Sequence, residues 1–175
     1  ITVELDLPPY QLALKYYAAF DAFLGECFYF FNAGRLKTEL HNLYFSSSSE
    51  YQLSREQVLK ITSILMIMAI GKMYYTGQNA TTPAPLFPGL EYFNKATFVF
   101  SFAHTSLQGG TCSVDNIQAL LLYAFYHQVV DAASGHFLLG GIAMRGALFI
   151  GMHNDTGKET LNRYELEHRR RLWWT

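Results

Sequence analysis

"SREQVLKITSILMIMAIGKMYYTG", residues 54–77, decides how this chain folds. Ser54 precedes Gln57 by three, the spacing at which a cap side chain and its reciprocal partner satisfy each other's backbone N–H groups. Leu53 and Val58 stand where a hydrophobic staple would close the same helix start. From Ile64 to Ile70 every residue is apolar, so this helix has no solvent face and needs neighbours all round. The apolar run from Ile61 to Ile70, bounded by Lys60 and Lys72, is well short of the roughly 20 residues that cross a bilayer. It reads as the central helix of a core, with no membrane role.

The flanking segments supply the neighbours. After Pro8 and Pro9, the positions Leu12, Ala13, Tyr16, Tyr17, Phe20, Phe23 and Leu24 follow the helical period, predicting a helix from Tyr10 that ends near Gly25 or runs on into the aromatic "CFYFFN" at 27–32. A shorter helix is expected from Arg35 to Phe45, with Leu36, Leu40 and Leu43 or Tyr44 on one side; the serine run 46–49 ends it. Beyond a proline-rich stretch at 79–89, "LEYFNKATFVFSFAH" predicts a helix buried on Phe93, Ala96 and Phe100. Ser113 caps the next, which turns Ile117, Leu120, Leu121 and Ala124 inward. "HFLLGGIAMRGALFIGMH", residues 136–153, spaces Gly140, Ala143, Ala147 and Gly151 so that another helix can approach closely, as in a tight helical hairpin. A last helix starts near Leu161. No strand-length alternation occurs, so the expectation is one all-α domain over residues 1–175 with antiparallel helical hairpins.

Composition sets limits on function. Half of the 175 residues are hydrophobic and 15% are charged, which calls for extensive burial. The formal charge of −1 provides no general attraction to nucleic acid or anionic lipid. Two cysteines, Cys27 and Cys112, are too few for a disulfide framework or a cysteine-built zinc site and fit a reducing compartment. The chain opens at Ile1 with no methionine and no signal-peptide pattern, as if it were part of a longer protein.

Other constellations carry little chemistry. His127 and Asp131 share a helix face but lack the further ligands a metal requires. Cys27 lies among aromatics that raise a thiol pKa, and Ser106, Ser113 and Ser134 have no nucleophile-elbow context. Gly109-Gly110 and Gly140-Gly141 lack the strand, turn and lysine of a phosphate loop. No enzyme is expected. The aromatic excess suggests instead a pocket for a small apolar effector, with Tyr16, Phe20, Tyr74, Tyr92 and Phe93 as candidate lining residues.

The end of the chain, "ELEHRRRLWWT" at 165–175, raises the question of a basic surface. At about 100° per residue Arg169, Arg170 and Arg171 fan around the helix and form no stripe. Glu165 and Glu167 lie four before Arg169 and Arg171, the favourable order for surface pairs. Trp173 shares a side with Leu166, while Trp174 faces elsewhere, so cover on more than one side is expected. The helix reads as packed structure, with the parent chain continuing past Thr175.

Several segments in order resemble a known family. "LPPYQLALKYYAAFDAFLGECFYFFN" is similar to the opening of the fungal-specific transcription factor domain, or middle homology region. "GLEYFNKA" at 89–96, "SVDNIQALLLYAFYHQ" at 113–128, "GGIAMRGALFIGMHND" at 140–155 and "YELEHRRRLWWT" at 164–175 resemble its later signatures, the last two most specifically. "GMH" at 151–153 stands where the family has "GLH". The resemblance implies an all-α regulatory domain of a nuclear, binuclear zinc cluster transcription factor, controlling transcription by binding an effector or a co-regulator or by masking another part of the chain. It implies zinc and DNA contact only in an upstream domain, no cofactor in this chain, and Arg169, Arg170, Arg171, Trp173 and Trp174 as structural signature residues. Expected partners are a small effector, transcriptional co-regulators and, in the parent protein, a second copy. The alternative is a helical-repeat interaction scaffold with no small-molecule role.

Overall fold

A computed structural model describes residues 6–45, 54–79, 87–105, 112–154 and 161–175, except for the side chains of 78, 79 and 103–105. Among the described residues there are seven helices and no strand: α1 (Tyr10–Leu24), α2 (Ala33–Phe45), α3 (Arg55–Asn79), α4 (Leu90–Thr105), α5 (Val114–Val129), α6 (Ala133–Phe149) and α7 (Arg163–Trp173). The serine run, Leu53, most of the proline-rich stretch, Ser106 and Gly109-Gly110 lie outside these residues.

The start of α3 forms as its sequence predicts. Gln57 N–H donates to Ser54 Oγ at 3.3 Å, and Ser54 N–H donates to Gln57 Oε1 at 2.9 Å. Leu65, Met66, Ala69 and Ile70 are fully buried, because α1, α4 and α5 pack against α3 from different sides. Taken whole, Arg55–Gly77 is long and apolar enough to cross a membrane, with mean hydropathy 1.4 over its most apolar window, yet 72% of that window is buried within the protein.

Two glycines let the backbones meet. A Cβ on Gly71 would lie 2.1 Å from the Tyr16 carbonyl oxygen, which brings α1 onto α3. At Gly89 the backbone is left-handed, with φ at 86°, and a Cβ would lie 2.2 Å from the Ala69 carbonyl oxygen. The first turn of α4 therefore sits directly on α3.

The residues 130–132 join α5 to α6, and such a short connection turns the pair into a hairpin. Ala143 and Ala147 are buried in it, and a Cβ on Gly140 would just touch Ala124. Gly151 departs from the expected stripe. The helix ends at Phe149, and Gly151 turns the chain with φ at 70°. Phe23 also departs from the expected buried face of α1, standing partly exposed and stacked on Tyr74 at 4.6 Å between ring centres.

Candidate functional site

A small polar cleft opens where α2, α3, α5 and α7 converge. It has a volume of about 20 Å³, with Arg35 and Glu39 from α2, Lys60 and Ser63 from α3, Asp115 and Gln118 from α5, and Tyr164 and His168 from α7 on its walls. Such a volume admits little more than one water-sized group. Charge of both signs faces it. Arg35 Nε donates to Glu39 Oε1 at 2.9 Å, one turn along α2. Burial works against the Arg35 charge, but the Glu39 hydrogen bond and the nearby Glu39 and Asp115 carboxylates outweigh it and hold its pKa up.

His168 belongs to the same cleft as a neutral group. Burial, and after it the Arg35 charge, push its pKa down, and Asp115 opposes them only in part. Its Nδ1 is hydrogen bonded to the Tyr29 hydroxyl at 2.9 Å. Ser63 is the anomaly. It is 2% exposed, and among the described residues its hydroxyl has no hydrogen-bond partner. Its neighbour Thr62, equally buried, donates to the Val58 carbonyl at 2.8 Å.

The five aromatic residues suggested for an effector pocket are dispersed through the core. Tyr16 and Tyr92 meet edge to face at 6.0 Å between ring centres, whereas Phe20 packs on Phe30 and Phe31. Tyr74 stacks on Phe23, and Phe93 stacks on Tyr126 at 4.3 Å. None of the five lines the polar cleft or the smaller apolar cavity beside Leu40 and Ile67. Apart from the Tyr16–Tyr92 pair, each packs against other rings, as aromatic side chains do where helices cross.

The outer face of α6 is a second candidate. Turned away from α5 are Phe137, 79% exposed, Phe149, 77% exposed, and the exposed Leu138, Ile142, Met144 and Leu148. Arg145 supplies the charge on this side. Six large apolar side chains on one helix face expose on the order of 600 Å² of apolar surface, at the upper end of the largest patch on a typical monomer.

The C-terminal signature residues tie α7 to the rest. Asn162 Oδ1 accepts from the Glu165 N–H at 2.8 Å and Glu165 Oε2 accepts from the Asn162 N–H, a capping box that fixes the helix start. That leaves the Glu165 carboxylate committed locally, and the expected pairs with Arg169 and Arg171 give way to others. Arg169 donates to the Ile150 carbonyl at 2.7 Å, Arg171 lies 4.2 Å from the centre of the Tyr29 ring, and Arg170 approaches Glu167 at 4.0 Å. Trp173 packs beside His153. The Thr175 hydroxyl donates to the Tyr29 carbonyl at 2.7 Å and accepts from the Tyr29 N–H at 3.0 Å. Cover around Trp174 was expected, but it is 80% exposed: Leu172 is the buried position, and two residues on the helix has turned about 200°.

This packed helix, with its arginines spent on a carbonyl, a ring and a carboxylate, is the segment whose sequence carried the strongest family signature. The model of the fungal specific transcription factor domain matches residues 25–175. The chain belongs to that family. No curated protein and no solved structure matches it. The matched span of the fungal transcription factor domain begins at Gly25, so α1 lies before it.

The zinc cluster associated with the family does not fit the residues of this domain. Cys27 is exposed, Cys112 is partly buried with its thiol pKa pushed up by that burial, and no group of three or more potential ligands forms among the described residues.

Sequence reading missed both candidate surfaces. The cleft residues are scattered from 35 to 168, and their only local signal is the polar pair Thr62-Ser63 inside an apolar run. The open face of α6 had no signal, because its residues are as apolar as those it buries.

Proposed function

We propose that this is the regulatory domain of a nuclear zinc cluster transcription factor, controlling transcription through a protein co-regulator that seats on the outer face of α6. Family membership supports the regulatory role, and members of the family are in general not enzymes. Zinc binding and base-specific DNA contact belong in this reading to an upstream segment of the parent protein. The exposed row of Phe137, Leu138, Met144 and Phe149 carries the reading. An amphipathic helix from the partner, with an apolar stripe and a carboxylate opposite Arg145, is its complement.

A reporter assay with the full-length parent protein tests it. Replacing Leu138 and Phe149 together by serine removes two of the six exposed apolar side chains without touching the α5 contact. Loss of regulated transcription at unchanged protein level is the expected result. Wild-type regulation by this double variant excludes the α6 face as the regulatory contact. Control by a small effector is a second element of the reading and rests on the family resemblance.

A further inference from the structure

Outward from Ala143, the open face of α6 is nearly the same in both directions. One residue either way stand Ile142 and Met144, five either way Leu138 and Leu148, and six either way Phe137 and Phe149. All six are exposed, whereas Ala143 is buried against α5. The mismatched pair stands two residues either way, Gly141 and Arg145, the positions nearest the line opposite Ala143. The Arg145 guanidinium lies over Gly141, where a Cβ would come within 3.3 Å of it, so the charge sits in the middle of the apolar face. Arg145 is exposed, α6 has no acidic residue, and no ion pair engages Arg145 among the described residues.

A face with this symmetry is self-complementary. Laid antiparallel on a second copy about a two-fold axis, it would set Phe137 of one chain opposite Leu148 of the other, and Leu138 opposite Phe149. About 600 Å² from each copy gives about 1,200 Å² in all, the low end of what a stable specific interface buries. Arg145 spoils that match. It would face Ile142 of the other copy, and the two guanidinium groups would stand about 5 Å apart along the helix axes, three residues at about 1.5 Å each. Like charges that close, stripped of water by the apolar side chains around them and with no carboxylate on either α6, repel each other strongly. A partner helix that brings a carboxylate to this point meets no such penalty.

We propose that Arg145 decides what covers α6: it keeps a second copy of this chain off the face and admits a partner helix that carries a carboxylate there. The partner half of this rests on the co-regulator reading. The exclusion of a second copy is a property of the chain alone, so the two can fail separately.

The test is sedimentation of the chain at micromolar concentration. Wild type and Arg145→Glu are each expected to sediment as monomers, and an equimolar mixture of the two as a dimer that added salt weakens about tenfold or more, because the mixture alone brings opposite charges together at the axis. Arg145→Met, which removes the charge and keeps much of the bulk, should dimerise by itself, and adding Leu138→Ser to it should restore the monomer. Thermal melts close to that of wild type distinguish such pairing from aggregation of a misfolded variant. In the reporter assay with the full-length parent protein, Arg145→Glu should lose regulation and Arg145→Lys should keep most of it. A monomeric Arg145→Met, or a wild-type dimer that Leu138→Ser dissolves, would overturn the exclusion of a second copy, leaving the co-regulator contact to be judged by the Leu138 and Phe149 double variant. A mixture that stays monomeric would overturn charge as the cause, and full regulation by Arg145→Glu would overturn the partner's carboxylate.

Discussion

α3 and α6 are both apolar around nearly their whole circumference, but the fold covers α3 on all sides and α6 on one. α3 lies between α1, α4 and α5, with Leu65 and Met66 at 0% exposure. α6 presses Ala143 and Ala147 onto α5 and leaves Phe137, Leu138, Met144 and Phe149 toward solvent. Composition says only that a helix needs cover. Its place in the stack decides whether the same chain provides that cover or another molecule does.

The largest effects should come from α3. Leu65→Ala removes a fully buried side chain and is expected to cost about 2–5 kcal/mol in urea unfolding, whereas Leu148→Ala on the open face of α6 should cost under about 1 kcal/mol. Similar losses for both would break the contrast. Gly71→Ala probes the close approach of α1 and α3. Its Cβ would meet the Tyr16 carbonyl, so a loss of about 1–3 kcal/mol is expected in the same assay, while a neutral result would mean that the two helices are not in contact there.

Helix caps give a smaller, more local comparison. Ser54→Ala and Asn162→Ala each remove a side-chain acceptor from a capping box and should cost about 1 kcal/mol. Hydrogen exchange should locate the loss at the first turns of α3 and α7 respectively. Exchange that rises throughout the protein after Asn162→Ala would show that α7 holds the core together.

The smallest effect is the pH response. Burial holds the pKa values of His127 and His168 below their ordinary 6.5, with the Arg35 charge adding to the effect at His168. The unfolded chain therefore takes up these protons first. Stability is full above 6.5 and falls as the pH drops through the lowered folded values. His168→Gln should flatten part of that slope in unfolding midpoints measured from pH 7.5 to about pH 5. An unchanged slope would remove His168 from the account.

Much of this fold was legible in the sequence, because helix starts and apolar periods are local. Ser54 with Gln57, Ser113 and the run from Ile64 to Ile70 predicted α3 and α5 as they occur. The capping box of Asn162 and Glu165 was equally local and readable from its spacing, yet it was not predicted. Three features depend on distant residues. Trp174 is exposed because Leu172 takes the buried side, the five candidate rings pack in separate groups, and the cleft draws on positions from 35 to 168. A one-dimensional pattern can show that α3 and α6 are apolar all round, but it contains no account of how many neighbours each one finds.

Methionine oxidation tests this difference most directly, since both helices carry the probe. Met66 and Met68 lie in the covered part of α3, at 0% and 2% exposure, and Met144 lies on the open face of α6, at 53%. Under dilute peroxide, with peptide mass spectrometry as the readout, Met144 should oxidise rapidly while Met66 and Met68 remain protected until the protein unfolds. Protection of Met144 equal to that of Met66 in the isolated chain would contradict the account, because the face assigned to a partner would then already be covered.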